Sequence, residues 1–185
     1  MAHQNTLQLS QSALIIIDMQ EAFRTKITDF TETAARIATV VEGAKLLKLP
    51  ILVTEQYPKG LGHTADEIKA ALPSDIEIIE KTTFSSCGAQ TFTAQLERTG
   101  AKQILVCGIE AHICVNQTVH DLLASGAQVH VLADCITART VENKQLAMAK
   151  MQLSGAIPSS VEMALFELMR DAKHGQFRAI QGLIK

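Results

Sequence analysis

The sequence contains no tryptophan and one tyrosine, and aromatic residues make up only 4% of its 185 positions. Nucleic-acid grooves stack bases on aromatic rings set in a basic surface. With 17 Lys+Arg against 19 Asp+Glu, a formal net charge of −2 and no markedly basic segment, neither half of that requirement is met. No apolar run approaches the roughly 20 residues that a membrane span needs. The opening residues, MAHQNTLQLSQS, carry neither the basic start nor the apolar stretch of a secretory leader, and no arginine of a mitochondrial one. The four cysteines form no C-x-x-C pair, so they read as reduced thiols in a cytoplasmic protein. No His/Cys/Asp spacing suits a metal, and no Gly-x-Gly phosphate loop follows the first apolar run. Neither a metal nor an organic cofactor is expected.

What the chain does have is apolar content, at 47%, arranged in short runs. Residues 13–17, 51–53, 76–79, 103–109, 128–133 and 156–157 read as buried strands. Between and after them, residues 32–48, 64–72, 89–98, 113–124, 141–153, 161–170 and 174–185 show helical spacing or helix stop signals. Ser159 and Glu162 are spaced as a capping box. There is no Gly/Ser/Pro-rich linker, low-complexity segment or short-period repeat. Strands alternating with helices predict one α/β domain over 1–185, a three-layer α/β/α sandwich around a six-stranded, mainly parallel, Rossmann-like sheet. Ligands of such sheets bind beyond the carboxyl ends of the strands.

Three residues of complementary chemistry fall at that edge. Asp18 follows the first strand, Lys81 the third, and Cys114 the fourth. Taken singly, each has an ordinary explanation: a turn carboxylate or helix cap, an exposed lysine, a small core residue. Together they make a nucleophile, a base and a cation. A free thiol is only about 3% ionised at pH 7. A helix start and a nearby ammonium both favour its anion, so a depressed thiol pKa is expected. Asp18 is placed to take the thiol proton and return it to a leaving group.

The run Leu14–Gln20 (LIIIDMQ), Lys81 before Thr-Thr-Phe-Ser, and Gly108–Val115 (GIEAHICV) resemble the three signatures of the isochorismatase-like cysteine hydrolases. Residues 53–64 and 147–156 are similar to stretches of the small isochorismatase-domain proteins, many of which lack an assigned substrate. The resemblance implies Asp18 as general base, Lys81 as the residue that orients and polarises the site, and Cys114 as nucleophile. It also implies a non-proline cis peptide at Ile109–Glu110, with the Glu110 and Cys114 N–H groups forming an oxyanion hole. Two departures narrow it. Isochorismatases proper carry glycine where Cys114 stands, which argues against vinyl-ether cleavage. Nicotinamidases carry an Asp and two His as metal ligands after the second strand, and Thr54–Pro58 here holds no such set.

Phe23, Tyr57 and Phe84 all follow strand ends, where they either wall a small apolar pocket or pack loops down. His112 invites a Cys–His dyad but is assigned a structural role, since Asp18 fills the base position. His120 and His130 are taken as ordinary satisfied residues, and Cys107 and Cys135 as core. The expected function is hydrolysis of a small carboxamide or related C–N bond through a thioester. A catalytically weak, homo-oligomeric interaction module is the alternative. A redox-sensing Cys114 is a third reading, with Cys87 as its resolving thiol. The expected partners are a small-molecule substrate and other copies of the chain, in a homodimer or larger, with neither nucleic acid nor membrane.

Overall fold

A computed structural model describes residues 3–185. Six strands form one sheet in the order β3-β2-β1-β4-β5-β6, every neighbouring pair parallel. They are β1 (Ser12–Ile17), β2 (Ile51–Gln56), β3 (Ile78–Lys81), β4 (Gln103–Gly108), β5 (Gln128–Ile136) and β6 (Ile157–Ser159). The helices are α1 (Phe30–Leu47), α2 (Pro58–Leu61), α3 (Asp66–Ala71), α4 (Gln90–Thr99), α5 (Asn116–Ala124), α6 (Val141–Leu153), α7 (Val161–Met169) and α8 (Phe177–Ile184). The expected α/β/α sandwich is present, and its sheet is wholly parallel.

Side-chain alternation along the strands divides the interior in two. Leu14 and Ile16 of β1 join a core with α1, α3, α7 and α8. Ala13, Ile15 and Ile17 join a second core with α4, α5 and α6. Because β1 is buried on both faces, all six of its residues are inaccessible, which is why it reads as an unbroken apolar run.

Several boundaries differ from the expectation for local reasons. The third strand starts at Ile78, because the Ile76 N–H turns back to the Pro73 carbonyl (3.2 Å), and it runs through Lys81 rather than ending before it. The fifth strand continues to Ile136 across an irregularity in its pairing with β4. The helix expected from residue 113 is preceded and begun by a wide π-type turn over residues 111–115, in which the Val115 N–H reaches the Glu110 carbonyl (3.3 Å). The cap of α7 is Ser160, whose Oγ accepts from the Met163 N–H (3.2 Å), one residue beyond the expected Ser159. Ser159 is committed to β6, and its hydroxyl is buried without a partner among the described residues.

Candidate active site

The site lies where β1 passes to β2 on one side and lies beside β4 on the other, the point at which strand order reverses. Asp18 leaves β1 in the left-handed region (φ 50°), which aspartate tolerates better than most residues. Its N–H donates to the Thr54 carbonyl (3.1 Å), and its own carbonyl accepts from Gln20 (2.8 Å), so the turn is pinned at both ends. The carboxylate is buried and fully engaged. Oδ1 accepts from Thr54 Oγ1 (2.7 Å) and Oδ2 from Lys81 Nζ (2.6 Å).

Lys81, the last residue of β3, reaches across β2 to make that contact, and its side chain is inaccessible to solvent. Nζ also donates to Gln56 Oε1 (2.8 Å) and to the carbonyls of Thr83 (3.0 Å) and Phe84 (3.1 Å). Four oxygens thus surround an ammonium with three hydrogens. The Gln56 amide is fixed in turn: its Nε2 donates to the Thr82 carbonyl (2.8 Å), and its backbone N–H to Gln20 Oε1 (2.8 Å). Sequence reasoning passed over Thr54, Gln56 and Gln20. The available signal was the strand period, since residues 54 and 56 share one face of β2.

Cys114 is carried by the wide turn after β4. Gly108 makes that turn possible: its φ is 115°, and a Cβ there would lie 2.0 Å from the Ile17 carbonyl oxygen. The Ile109–Glu110 peptide is cis, as the resemblance implied. The Glu110 N–H donates to no protein acceptor among the described residues. The Glu110 carboxylate, which sequence reasoning left unassigned, pairs with Arg139 Nε, and its Oε2 lies 3.9 Å from His112 Nε2.

The ionisation pattern departs from the expected depressed thiol. Burial, the nearby Asp18 carboxylate and the hydrogen bond to it push the Cys114 thiol up to about 12, and the Lys81 ammonium does not offset them. Lys81 spends its hydrogens on Asp18, Gln56 and two carbonyls, so its charge serves the carboxylate more than the sulfur. Burial likewise raises the Asp18 carboxyl above its ordinary value, against the pull of Lys81, Thr54 and the Cys114 thiol. The resting pair is a neutral thiol facing a carboxylate of strengthened basicity.

A cavity of about 130 Å³ opens on Asp18, Glu110 and Cys114, walled by Phe23, Gln56, Leu61, Phe84, Ile109 and Ile113. Sites for drug-sized ligands run from about 300 to 1,000 Å³, so this one suits a molecule of a few heavy atoms. Phe23 and Phe84 are therefore placed as a pocket wall, while Tyr57 is not. The Tyr57 N–H donates to the Lys81 carbonyl (2.9 Å), its ring lies over Gly60, and its side chain faces a separate groove beside β3. Cys87 lines a groove between α4 and α5 and does not reach the cavity. His112 lies outside the lining as well. Its Nδ1 is buried without a partner among the described residues, as is His130 Nε2, whereas His120 is satisfied at both ring nitrogens. Among the described residues no group of three or more His, Cys, Asp or Glu is placed to hold a metal ion, and no helix is long and apolar enough to cross a membrane.

Residues 12–163 match the isochorismatase domain. Isochorismatase domain-containing protein 2A of Mus musculus is 41% identical over 177 residues, covering 94% of this chain and 82% of its own length. Isochorismatase domain-containing protein 2 of Danio rerio is 35% identical over 184 residues, covering 100% and 92%. A solved structure described as MAR1 ribonuclease from Caenorhabditis elegans superposes with a TM-score of 0.92 at 36% identity, over 97% of this chain and 92% of that one. The chain belongs to the isochorismatase-domain family, a membership that supports a hydrolase-type function.

Proposed function

We propose that this chain is a cysteine hydrolase that cleaves a small carboxamide or related C–N bond through a thioester. The observation that carries the reading is a small cavity lined by Cys114, by the buried Asp18 and by Glu110, whose backbone N–H has no protein acceptor among the described residues. Asp18 takes the proton from Cys114 Sγ as the sulfur attacks the carbonyl carbon. The N–H groups of Glu110 and Cys114 hold the oxyanion. As the C–N bond breaks, Asp18 gives the proton to the departing nitrogen. It then deprotonates a water that attacks the thioester, and the sulfur leaves and recovers its proton from Asp18. Lys81, closed in by four oxygens, keeps Asp18 charged and aimed.

The C. elegans relative described as a ribonuclease makes RNA the substrate to be separated from this one. A cavity of about 130 Å³ with a mainly aliphatic and aromatic wall, in a chain of net charge −2, favours the small amide. The test is ammonia release from formamide through butyramide by wild type, Cys114→Ala and Asp18→Asn, with intact-mass detection of an acyl adduct and a parallel RNA digestion. Turnover of at least one amide with an adduct on Cys114, lost in both variants, supports the reading. Amide turnover that survives in Cys114→Ala, or RNA cleavage with no amide turnover, overturns it. Inertness toward both overturns it too, leaving the interaction-module alternative.

A further inference from the structure

The chain that leaves β5 grips the segment that carries the proposed oxyanion donor. The Thr137 N–H donates to the Gly108 carbonyl (3.4 Å), and the Thr137 carbonyl accepts from the Ala111 N–H (2.8 Å). Thr137 is itself fixed, since its hydroxyl donates to Asp29 Oδ1. Further along, Thr140 caps α6 by accepting from the Asn143 N–H (3.2 Å). Arg139 stands between these two anchors, and its Nε donates to Glu110 Oε1. The segment after β5 thus holds Gly108 and Ala111 by their backbones and Glu110, between them, by its side chain.

This contact differs from an exposed ion pair, which contributes little. The Glu110 side chain is 6% exposed. Arg139 is its one hydrogen-bond donor among the described residues, because His112 Nε2, at 3.9 Å from Oε2, is beyond hydrogen-bond reach. Glu110 lines the cavity with Asp18 and Cys114, so its negative charge lies close to the proposed oxyanion. After burial and the Asp18 carboxylate, that charge is a further upward push on the Cys114 thiol. Left unpaired, the carboxylate would repel the developing negative charge. It would also gain by swinging toward water, carrying the N–H of its own residue out of line.

We infer that Arg139 is a positioning residue for thioester formation: by holding the Glu110 carboxylate it neutralises that charge and keeps the Glu110 N–H aimed at the oxyanion. The inference rests on the proposed thioester chemistry. The test is titration of the full chain with carbonyl-labelled propionaldehyde, followed by carbon NMR. Cys114 Sγ adds to the aldehyde carbon, the carbon–oxygen double bond opens, and the oxygen takes the thiol proton. The adduct therefore sets its oxygen at the proposed donors without needing a leaving group. The variants are Cys114→Ala, Arg139→Met, Glu110→Gln and Arg139→Met combined with Glu110→Gln, each checked for folding by circular dichroism. The wild-type adduct is expected to be absent in Cys114→Ala. Arg139→Met weakens it about tenfold, the scale of a misplaced oxyanion donor. The double variant recovers most of that loss, because glutamine needs no counter-charge. For an amide that wild type turns over, Arg139→Met lowers kcat while KM stays within about twofold. If Arg139→Met does not fold, Arg139→Lys replaces it, keeping the charge and losing the Nε donor, and a smaller weakening is expected. An adduct as tight as wild type in the Arg139 variant, or a double variant no better than the single one, overturns the inference and leaves the thioester reading standing. A wild type that forms no adduct on Cys114 overturns both.

Discussion

Asp18 and Lys81 are buried together, and each is tolerable only because of the other. A charge taken out of water is costly unless it is paired and its remaining hydrogen-bonding capacity is met, and here Thr54, Gln56 and two carbonyls complete the set. Lys81→Met is expected to lower stability by about 3–5 kcal/mol at pH 8, as an unpaired buried carboxylate is left behind. Without the ammonium the folded Asp18 carboxyl rises further, so this loss is present at high pH and shrinks as the pH falls and the carboxyl protonates. Urea midpoints at pH 5 and pH 8 check the sign, and an equal loss at both would contradict it. Catalysis has its own signature. Since burial already raises Asp18, the acid limb of kcat/KM for a turned-over amide is expected above the ordinary carboxylate value, and higher again in Lys81→Met. The gathering of the proposed triad at one sheet edge was legible because Lys81 ends a strand, and Asp18 and Cys114 follow the carboxyl ends of two others. The direction of the thiol's ionisation was not, because it is set by the burial of the sulfur and by its closeness to the Asp18 carboxylate, which outweigh the Lys81 ammonium.

The elements were legible in kind and less so at their ends. Unbroken apolar runs gave the buried strands, and Gly100, Gly126 and Gly155 marked the stops of the helices before them. The wide turn at 111–115 left no trace, because its pattern of residues also suits an ordinary first helical turn. That turn rests on Gly108. Gly108→Ala is expected to cost at least about 2 kcal/mol, combining an unfavourable φ with a collision against the Ile17 carbonyl. A thermal midpoint equal to wild type would show that β1 and β4 can part at no cost. The cap of α7 offers a sharper comparison. Ser160→Ala removes the bond to Met163 and is expected to cost about 1 kcal/mol. Ser159→Ala removes a buried hydroxyl that has no partner among the described residues and should be neutral or stabilising. Chemical denaturation of the two variants side by side decides which serine is the cap.

Across the whole molecule, all four cysteines are shifted in the same direction. Burial raises Cys87 to about 11 and Cys114 to about 12, and holds Cys107 and Cys135 well above the ordinary 9.0 as well. Groups raised on folding contribute stability below their unfolded value and lose it as the pH climbs toward the folded one. The folded state is therefore expected to hold steady up to about pH 9 and weaken above it. Denaturant midpoints from pH 7 to 10.5 read this directly, and the slope should be shallower in Cys107→Ala. The layered architecture was legible from the alternation of strands and helices. The small volume of the cavity was not, because it depends on how Phe23, Leu61 and Phe84, from three separate segments, close over one strand end. The sheet order has a consequence for the chain as it is made. Asp18 and Lys81 both lie in the part that folds into β1, β2 and β3, while the sulfur belongs to the part that follows. A growing chain therefore holds the proposed base and cation before the proposed nucleophile has been added. On the proposed mechanism the thiol meets the group that takes its proton only when β4 slots in beside β1, so its reactivity waits on the fourth strand.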